Sequence, residues 1–158
     1  VRSFHLDASS RYDRGSFAAS SESDVTTPLQ PGLEGRAELV VGDAHLASAV
    51  GSGLVRVFST PMLVALMESA AVNALAPVLT AGQTSVGTRI DVRHLAATPP
   101  GMPITAFARL VEVTGRVLVF EVWADDARER VGSGRHERAI VDQARFEQKV
   151  AAKGDGMA

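Results

Sequence analysis

The chain has 158 residues, 46% hydrophobic and 22% charged, with a formal net charge of −2 and no cysteine. One domain of ordinary size fits that length, and the slightly acidic balance argues against a nucleic-acid binder, which carries a basic excess or stripe. Without cysteine, disulfides, Cys-ligated zinc, iron–sulfur clusters and thiol nucleophiles are excluded.

Residues 1–34 hold seven serines, Pro28, Pro31 and Gly32, with apolar residues scattered and without period. Such a stretch buries too little apolar surface to offset its ordering entropy, so it reads as a flexible extension. The tail 151–158 is short and polar and reads as frayed. The foldable domain is therefore expected over 35–150. No basic-then-apolar leader opens the chain, which sets the expectation of a cytoplasmic protein.

Within that core, residues 36–50 read as a strand or a bent strand pair turning at Gly42-Asp43. Gly51-Ser52-Gly53 then opens a flexible connection, suited to a surface loop or to a lid beside a site. Ser59 or Thr60 can cap a helix, with Pro61 at its first position, where a missing N–H costs nothing. From Met62 to Leu79 the only charged residue is Glu68. A helix apolar all round is expected to be buried on every side. Glu68, Asn73, Pro77 and the length argue against a membrane span.

Four extended segments follow. Strict alternation over 86–96 places Val86, Thr88, Ile90, Val92, His94 and Ala96 on one face. Thr98-Pro99-Pro100-Gly101 ends that strand. Segments 103–113 and 116–124 are joined by Thr114-Gly115 as a hairpin, and 130–146 comes after a turn at 125–128. Both faces of 117–124 are apolar, so that strand is expected centrally or at a subunit interface, with Trp123 in the core. One buried helix among successive antiparallel strands predicts an α+β fold, a curved sheet wrapped around the helix.

Glu68 is the most expensive residue in this layout. An ionised carboxylate in an apolar setting raises its pKa unless a donor pairs with it, and a raised carboxylate suits a general acid or base. The structural alternative is a Glu that reaches solvent or pairs with a core Arg. His94 is either a satisfied core histidine or, if it meets Glu68, half of an acid–base pair. Thr60 is explained by capping alone, although a hydroxyl at a helix N-terminus also suits an anion or oxyanion site. Gly87 allows a ligand close to the backbone, or marks a β-bulge. Gly132 and Gly134 lack the third glycine and following helix of a dinucleotide fingerprint. Arg135, His136 and Arg138 face either a phosphate or, more simply, a solvated sheet edge.

The residues TPMLVALMESA at 60–70, SVGTRIDVRHLAATPPG at 85–101 and GSGRHERAIV at 132–141 resemble the fluoroacetyl-CoA thioesterase-like hot-dog family. The resemblance spans about 35–150 and implies the hot-dog fold, a homodimer, and hydrolysis of a short-chain acyl-CoA to a carboxylate and CoA. By that resemblance Thr60, Glu68 and His94 match the catalytic residues, Gly87 a substrate-contacting glycine, and Arg138 an arginine near the same site. It implies no cofactor, no metal, no nucleic acid and no membrane. Gly51 and Leu54 stand where the fluoroacetyl-selective enzyme has lid aromatics, so thioesterase chemistry carries over better than that selectivity. The alternatives are a hot-dog enoyl-CoA hydratase or dehydratase, whose Asp–His pair is missing beside this helix, and a non-catalytic acyl-CoA binder.

Overall fold

A computed structural model describes residues 28–154; residues 1–27 and 155–158, most of the proposed extension and half of the tail, lie outside the described residues. Five strands form one antiparallel sheet: β1 (Glu34–Val40), β2 (Gln83–His94), β3 (Pro103–Thr114), β4 (Val117–Asp126) and β5 (Arg130–Asp142). Their order is β1-β3-β4-β5-β2, so β4 is central, as its two apolar faces require, and β2 is an edge. The sheet curls around the helix α2 (Thr60–Leu75), giving the expected α+β hot-dog architecture.

The core forms between that helix and the inward faces of the strands. Leu63, Leu66, Met67, Ala70, Ala71, Ala74 and Leu75 of α2 meet Ala106, Ala108 and Leu110 of β3 and Leu118, Phe120 and Val122 of β4. The spacing of the buried helical positions is that of a single stripe. Thus α2 is not buried on every side: Ala65 and Ser69 are exposed, Val72 is 44% exposed, and this second face has no cover among the described residues. The helix also stops at Leu75 rather than Leu79. Ala76 keeps helical backbone angles, but Pro77 has no N–H for the Asn73 carbonyl, so 76–78 continue only as turns.

Helix α2 is seated unusually close to β1. A methyl group added at Gly35 would collide with the backbone of Ala70 and Ala74, the latter's Cα only 2.8 Å away. Small residues on both partners make that approach available.

Three other expectations are corrected. After β1, residues 43–50 are not a strand but a 3-10 turn (Asp43–His45) and a one-turn helix α1 (Ala47–Val50), closed by Gly51 at φ 75°. Beyond β5 the chain does not stay extended: α3 (Gln143–Gly154) begins where Asp142 Oδ1 accepts the Arg145 N–H at 2.8 Å. No residue of α3 is buried; Phe146 and Val150, four residues apart on one face, are its only large apolar side chains. Trp123 points outward, half-buried, where its ring stacks on Phe107 at 5.4 Å and lies beneath the guanidinium groups of Arg109 and Arg130. Adjacent strands carry the two rings in register, which is why they pair outside the core.

Candidate active site

Ser59, not Thr60, caps α2: its hydroxyl accepts the Met62 N–H at 3.4 Å, and its carbonyl accepts that of Leu63 at 3.0 Å. Pro61 has no N–H, so this helix end satisfies much of its own donor set. Thr60 is thereby left free to bond elsewhere. Its Oγ1 lies 2.9 Å from His94 Nδ1, at the end of β2. The other ring nitrogen, Nε2, is buried and makes no close hydrogen bond among the described residues. Thr60 and His94 line a cleft of about 410 Å³ with Ser52, Gly53, Val55 and Phe58. Leu54, at the tip of the same loop, is 97% exposed.

Glu68 sits two turns further along α2, over a different part of β2. Its Oε1 is 3.4 Å from Arg138 Nη1 and 3.4 Å from His136 Nε2, and its side chain is 40% exposed. Both branches of the structural reading of Glu68 are thus met: it pairs with a core arginine and reaches solvent through a cleft of about 540 Å³, lined also by Ser69, Ser85, Gly87 and Arg138. Arg138 is 5% exposed, and burial pulls its guanidinium below the usual value while the Glu68 carboxylate opposes that shift. It donates from Nε to Ser85 Oγ at 2.9 Å and from Nη2 to the Ser85 carbonyl at 2.8 Å.

A bulge in β2 assembles this corner. The β2–β5 register runs Gly87 against Arg138 and then Arg89 against Glu137, skipping Thr88. One extra residue reverses the alternation, so Ser85 and Gly87 share the inward face with Ile90, Val92 and His94. The predicted grouping of Val86 and Thr88 with His94 is therefore wrong, and the bulge is the reason. At Gly87 a Cβ would overlap Glu68 Oε1 and lie 3.1 Å from His136 Cε1, so glycine is what admits the carboxylate. Gly87→Ala is expected to push the Glu68 side chain aside, cutting catalytic efficiency by about 10- to 100-fold, since a misplacement near 1 Å is that costly. Its melting temperature should stay close to wild type, because a flexible carboxylate can move; thermal denaturation beside kinetics checks both halves.

His136 and Arg138 are not on a solvated edge, because β5 lies between β4 and β2. Both face inward, buried, while Arg135 is exposed. His136 is the residue that sequence reasoning missed as part of the site. Its signal was its even spacing from Arg138 and Ile140, which puts all three on one strand face.

Within one chain the structure gathers two groups. Thr60 joins His94, and Glu68 joins Gly87, Arg138, His136 and Ser85. Glu68 and His94 share neither a hydrogen bond nor a cleft. Among the described residues no cluster of His, Asp and Glu is arranged to hold a metal ion. No helix among them is long and apolar enough to cross a membrane.

Burial pushes the pKa of both His94 and His136 below 6.5. Below that value the unfolded chain takes up protons that the folded one refuses, so stability falls as pH drops from about 6.5 and levels only below the folded pKa values. Urea midpoints should therefore be lower at about pH 5.5 than at about pH 7.5. Equal midpoints would mean that these imidazoles are not shielded.

The model of the fluoroacetyl-CoA-specific thioesterase family matches residues 41–144, which contain all the residues of both groups. The chain belongs to that family. A fluoroacetyl-CoA thioesterase from Streptantibioticus cattleyicolor is 48% identical over 97 residues, 61% of this chain and 70% of that protein. A crystal structure of the fluoroacetyl-CoA thioesterase FlK superposes with a TM-score of 0.75 at 38% identity, covering 79% of this chain and 97% of that one. A thioesterase-superfamily protein of Thermus thermophilus matches at 0.76 with 28% identity, covering 82% of this chain and 96% of its own. Fluoroacetyl-CoA-specific thioesterases and the wider hot-dog group thus share this chain's sheet and helix.

Proposed function

We propose that the protein is a cytoplasmic acyl-CoA thioesterase that hydrolyses a short-chain acyl-CoA, with Glu68 as the reacting carboxylate and Thr60 and His94 as its partners. The observation that carries this reading is a half-exposed carboxylate, held against a glycine by a buried arginine, inside a family of thioester hydrolases. A non-catalytic binder has no need to bury Arg138 in order to present Glu68. In the reaction the carbonyl carbon gains an oxygen, from Glu68 itself or from a water that Glu68 deprotonates. By the water route the C–S bond breaks and the departing CoA thiolate takes the proton from Glu68. By the direct route thiolate departure leaves a Glu68–acyl anhydride, which a water then opens, one of its protons going to the thiolate and the other to solvent. A single turnover in oxygen-18 water tests the direct route. An anhydride opened by water at the Glu68 carboxyl carbon delivers a Glu68 oxygen to the first product, whereas water added to the acyl carbon delivers a solvent oxygen.

The two groups come together in a homodimer. Thr60 and Glu68 are eight residues apart on one helix, about 12 Å along its axis, too far to share one carbonyl. Strand β2 is a 12-residue edge with no neighbour on its outer side among the described residues. An edge of that length is a template for another strand. Antiparallel pairing of two β2 edges about a dyad sets the His94 end of one against the Gly87 end of the other. Each site is then built from Thr60 and His94 of one protomer and Glu68 of the partner subunit. The bare face of α2 beside Glu68 gains cover in the same step.

Free-thiol release from acetyl-, substituted acetyl- and longer acyl-CoAs tests the activity; hydration of an enoyl-CoA without thiol release would favour a hydratase instead. Mixing tests the shared site. Glu68→Gln and His94→Ala should each be inactive alone, yet recover about a quarter of wild-type activity after subunit exchange, because half the dimers are mixed and each holds one intact site. No recovery in verified mixed dimers would place the site within one chain. Residues 51–57 of the loop carry no aromatic side chain to close over the cleft, and Phe58 after them is buried in the core, so selection for fluoroacetyl over acetyl groups should be weak.

A further inference from the structure

The mechanism above leaves one buried titratable group unused. His136, on β5, is 1% exposed and stands opposite Ile90 of β2 and Phe120 of β4. Its Nδ1 lies 2.9 Å from the carbonyl oxygen of Arg89. A carbonyl oxygen only accepts, so Nδ1 carries the hydrogen. In a neutral ring Nε2 is then bare and can only accept. Arg138 Nη1 is 3.0 Å from it, with hydrogens to give.

We propose that His136 is a positioning residue for Glu68: its neutral, Nδ1-protonated imidazole takes one Nη1 hydrogen of Arg138 and so directs the other at the carboxylate. The guanidinium is gripped along both edges. Ser85 takes its Nε and Nη2 hydrogens on one side, and His136 takes an Nη1 hydrogen on the other. What remains on Nη1 is a single hydrogen, and Glu68 Oε1 is 3.4 Å from that nitrogen. The 3.4 Å contact between His136 Nε2 and Glu68 Oε1 is then not a hydrogen bond, because neither atom bears a hydrogen. Arg138 is what holds the two lone-pair atoms near each other.

Charge on the ring would undo this arrangement. A protonated Nε2 would donate directly to Glu68 and repel Arg138, tying up the carboxylate that must react. The groups that decide the ring's state are Glu68 from α2, Arg138 and Glu137 from β5, and the Arg89 carbonyl from β2. Burial, the largest influence, keeps the ring neutral, and the Arg138 charge acts in the same direction. Neutrality near pH 7 is therefore part of how the site is built, and acid should disable it.

This inference rests on Glu68 being the reacting group, and two measurements keep the claims apart. Nitrogen-15 NMR of histidine-labelled wild-type protein, assigned against His136→Gln, should show Nδ1 protonated and Nε2 bare at neutral pH. The opposite tautomer, or a charged ring, would overturn the proposal whatever the enzyme hydrolyses. In kinetics, His136→Phe should lower kcat by about tenfold or more with KM within about twofold, since the interaction is felt at the reacting centre rather than in binding. His136→Gln, which restores an acceptor for Arg138, should recover part of that loss. It should also lose the acid-side decline in kcat that belongs to the ring. A purely structural role would lower the melting temperature of both variants and leave the kcat of the folded protein and its pH profile unchanged. Should His136→Phe not fold, the tautomer and the His136→Gln profile still decide. If Glu68→Gln is fully active while the tautomer is as stated, the functional reading fails and the hydrogen-bond geometry survives.

Discussion

Glu68→Gln is expected to lower kcat/KM for thioester hydrolysis by about 10³-fold or more, mostly through kcat, with the fold retained. The amide has the same size and an oxygen that can still accept from Arg138 Nη1, which lies 3.4 Å from the carboxylate. It keeps the positioning contact and loses what the chemistry needs, a negative charge able to attack carbon or to take a proton. Removing the charge also leaves the buried Arg138 guanidinium without its counter-ion. Such a loss costs several kcal/mol in a dry interior, but Glu68 is 40% exposed and water screens the pair, so a drop of about 1–2 kcal/mol is expected. Thiol-release kinetics and urea denaturation measure the two effects separately. Hydrolysis at the wild-type rate would remove Glu68 from the reaction.

Gly35→Ala should be among the most damaging single-methyl changes in the described chain. The new Cβ would fall against the Ala70 carbonyl oxygen and the Ala74 nitrogen, with the Ala74 Cα at 2.8 Å. These are backbone atoms of a helix whose own hydrogen bonds hold them in place. No rotamer change relieves the overlap, so either α2 lifts from β1 or the strand retreats from β3, and both open the core. Overpacking of that kind costs about 3 kcal/mol or more, a large part of the 5–15 kcal/mol typical of a domain. Equilibrium denaturation should give that loss, or the variant should collect in the insoluble fraction. A melting temperature within a few degrees of wild type would mean that the close seat is not a constraint. Gly87→Ala is the instructive contrast, since the same methyl group there meets the movable end of Glu68 and should affect rate rather than stability.

Much of the fold was readable in the chain because its signals are local. The apolar run at 62–75, Pro61 beside a Ser-Thr cap, Gly115 in the hairpin turn and the alternating strands each rest on neighbours in sequence. What escaped depends on neighbours in space. Gly87 allowed for a bulge in this strand, but that Thr88 is the extra residue is defined only relative to Glu137 and Arg138 across the ladder. The burial of His136 follows from β2 covering β5, which is a matter of sheet order. Helix α3 went unread because an exposed helix needs no stripe, and its cap at Asp142 is a single residue. The bare face of α2 failed in the opposite way: the sequence reads the helix as apolar all round, and nothing among the described residues covers that face. Of the candidate site, the residue types at 60, 68, 87, 94 and 138 were legible, whereas their division into two clefts was not.

The close seat of α2 on β1 has a bearing on the placement of Glu68. Because backbone touches backbone at Gly35, Ala70 and Ala74, the height of the helix above the sheet is set by atoms that substitution cannot reshape. Glu68 lies half a turn before Ala70 on that same rod, so its carboxylate inherits a fixed datum. The Thr60–His94 cleft is bordered instead by a loop whose tip, Leu54, is almost wholly exposed. One cleft thus stands on a bench and the other beside a jaw that contacts little, so substitutions at residue 54 are expected to leave the placement of Glu68 unchanged.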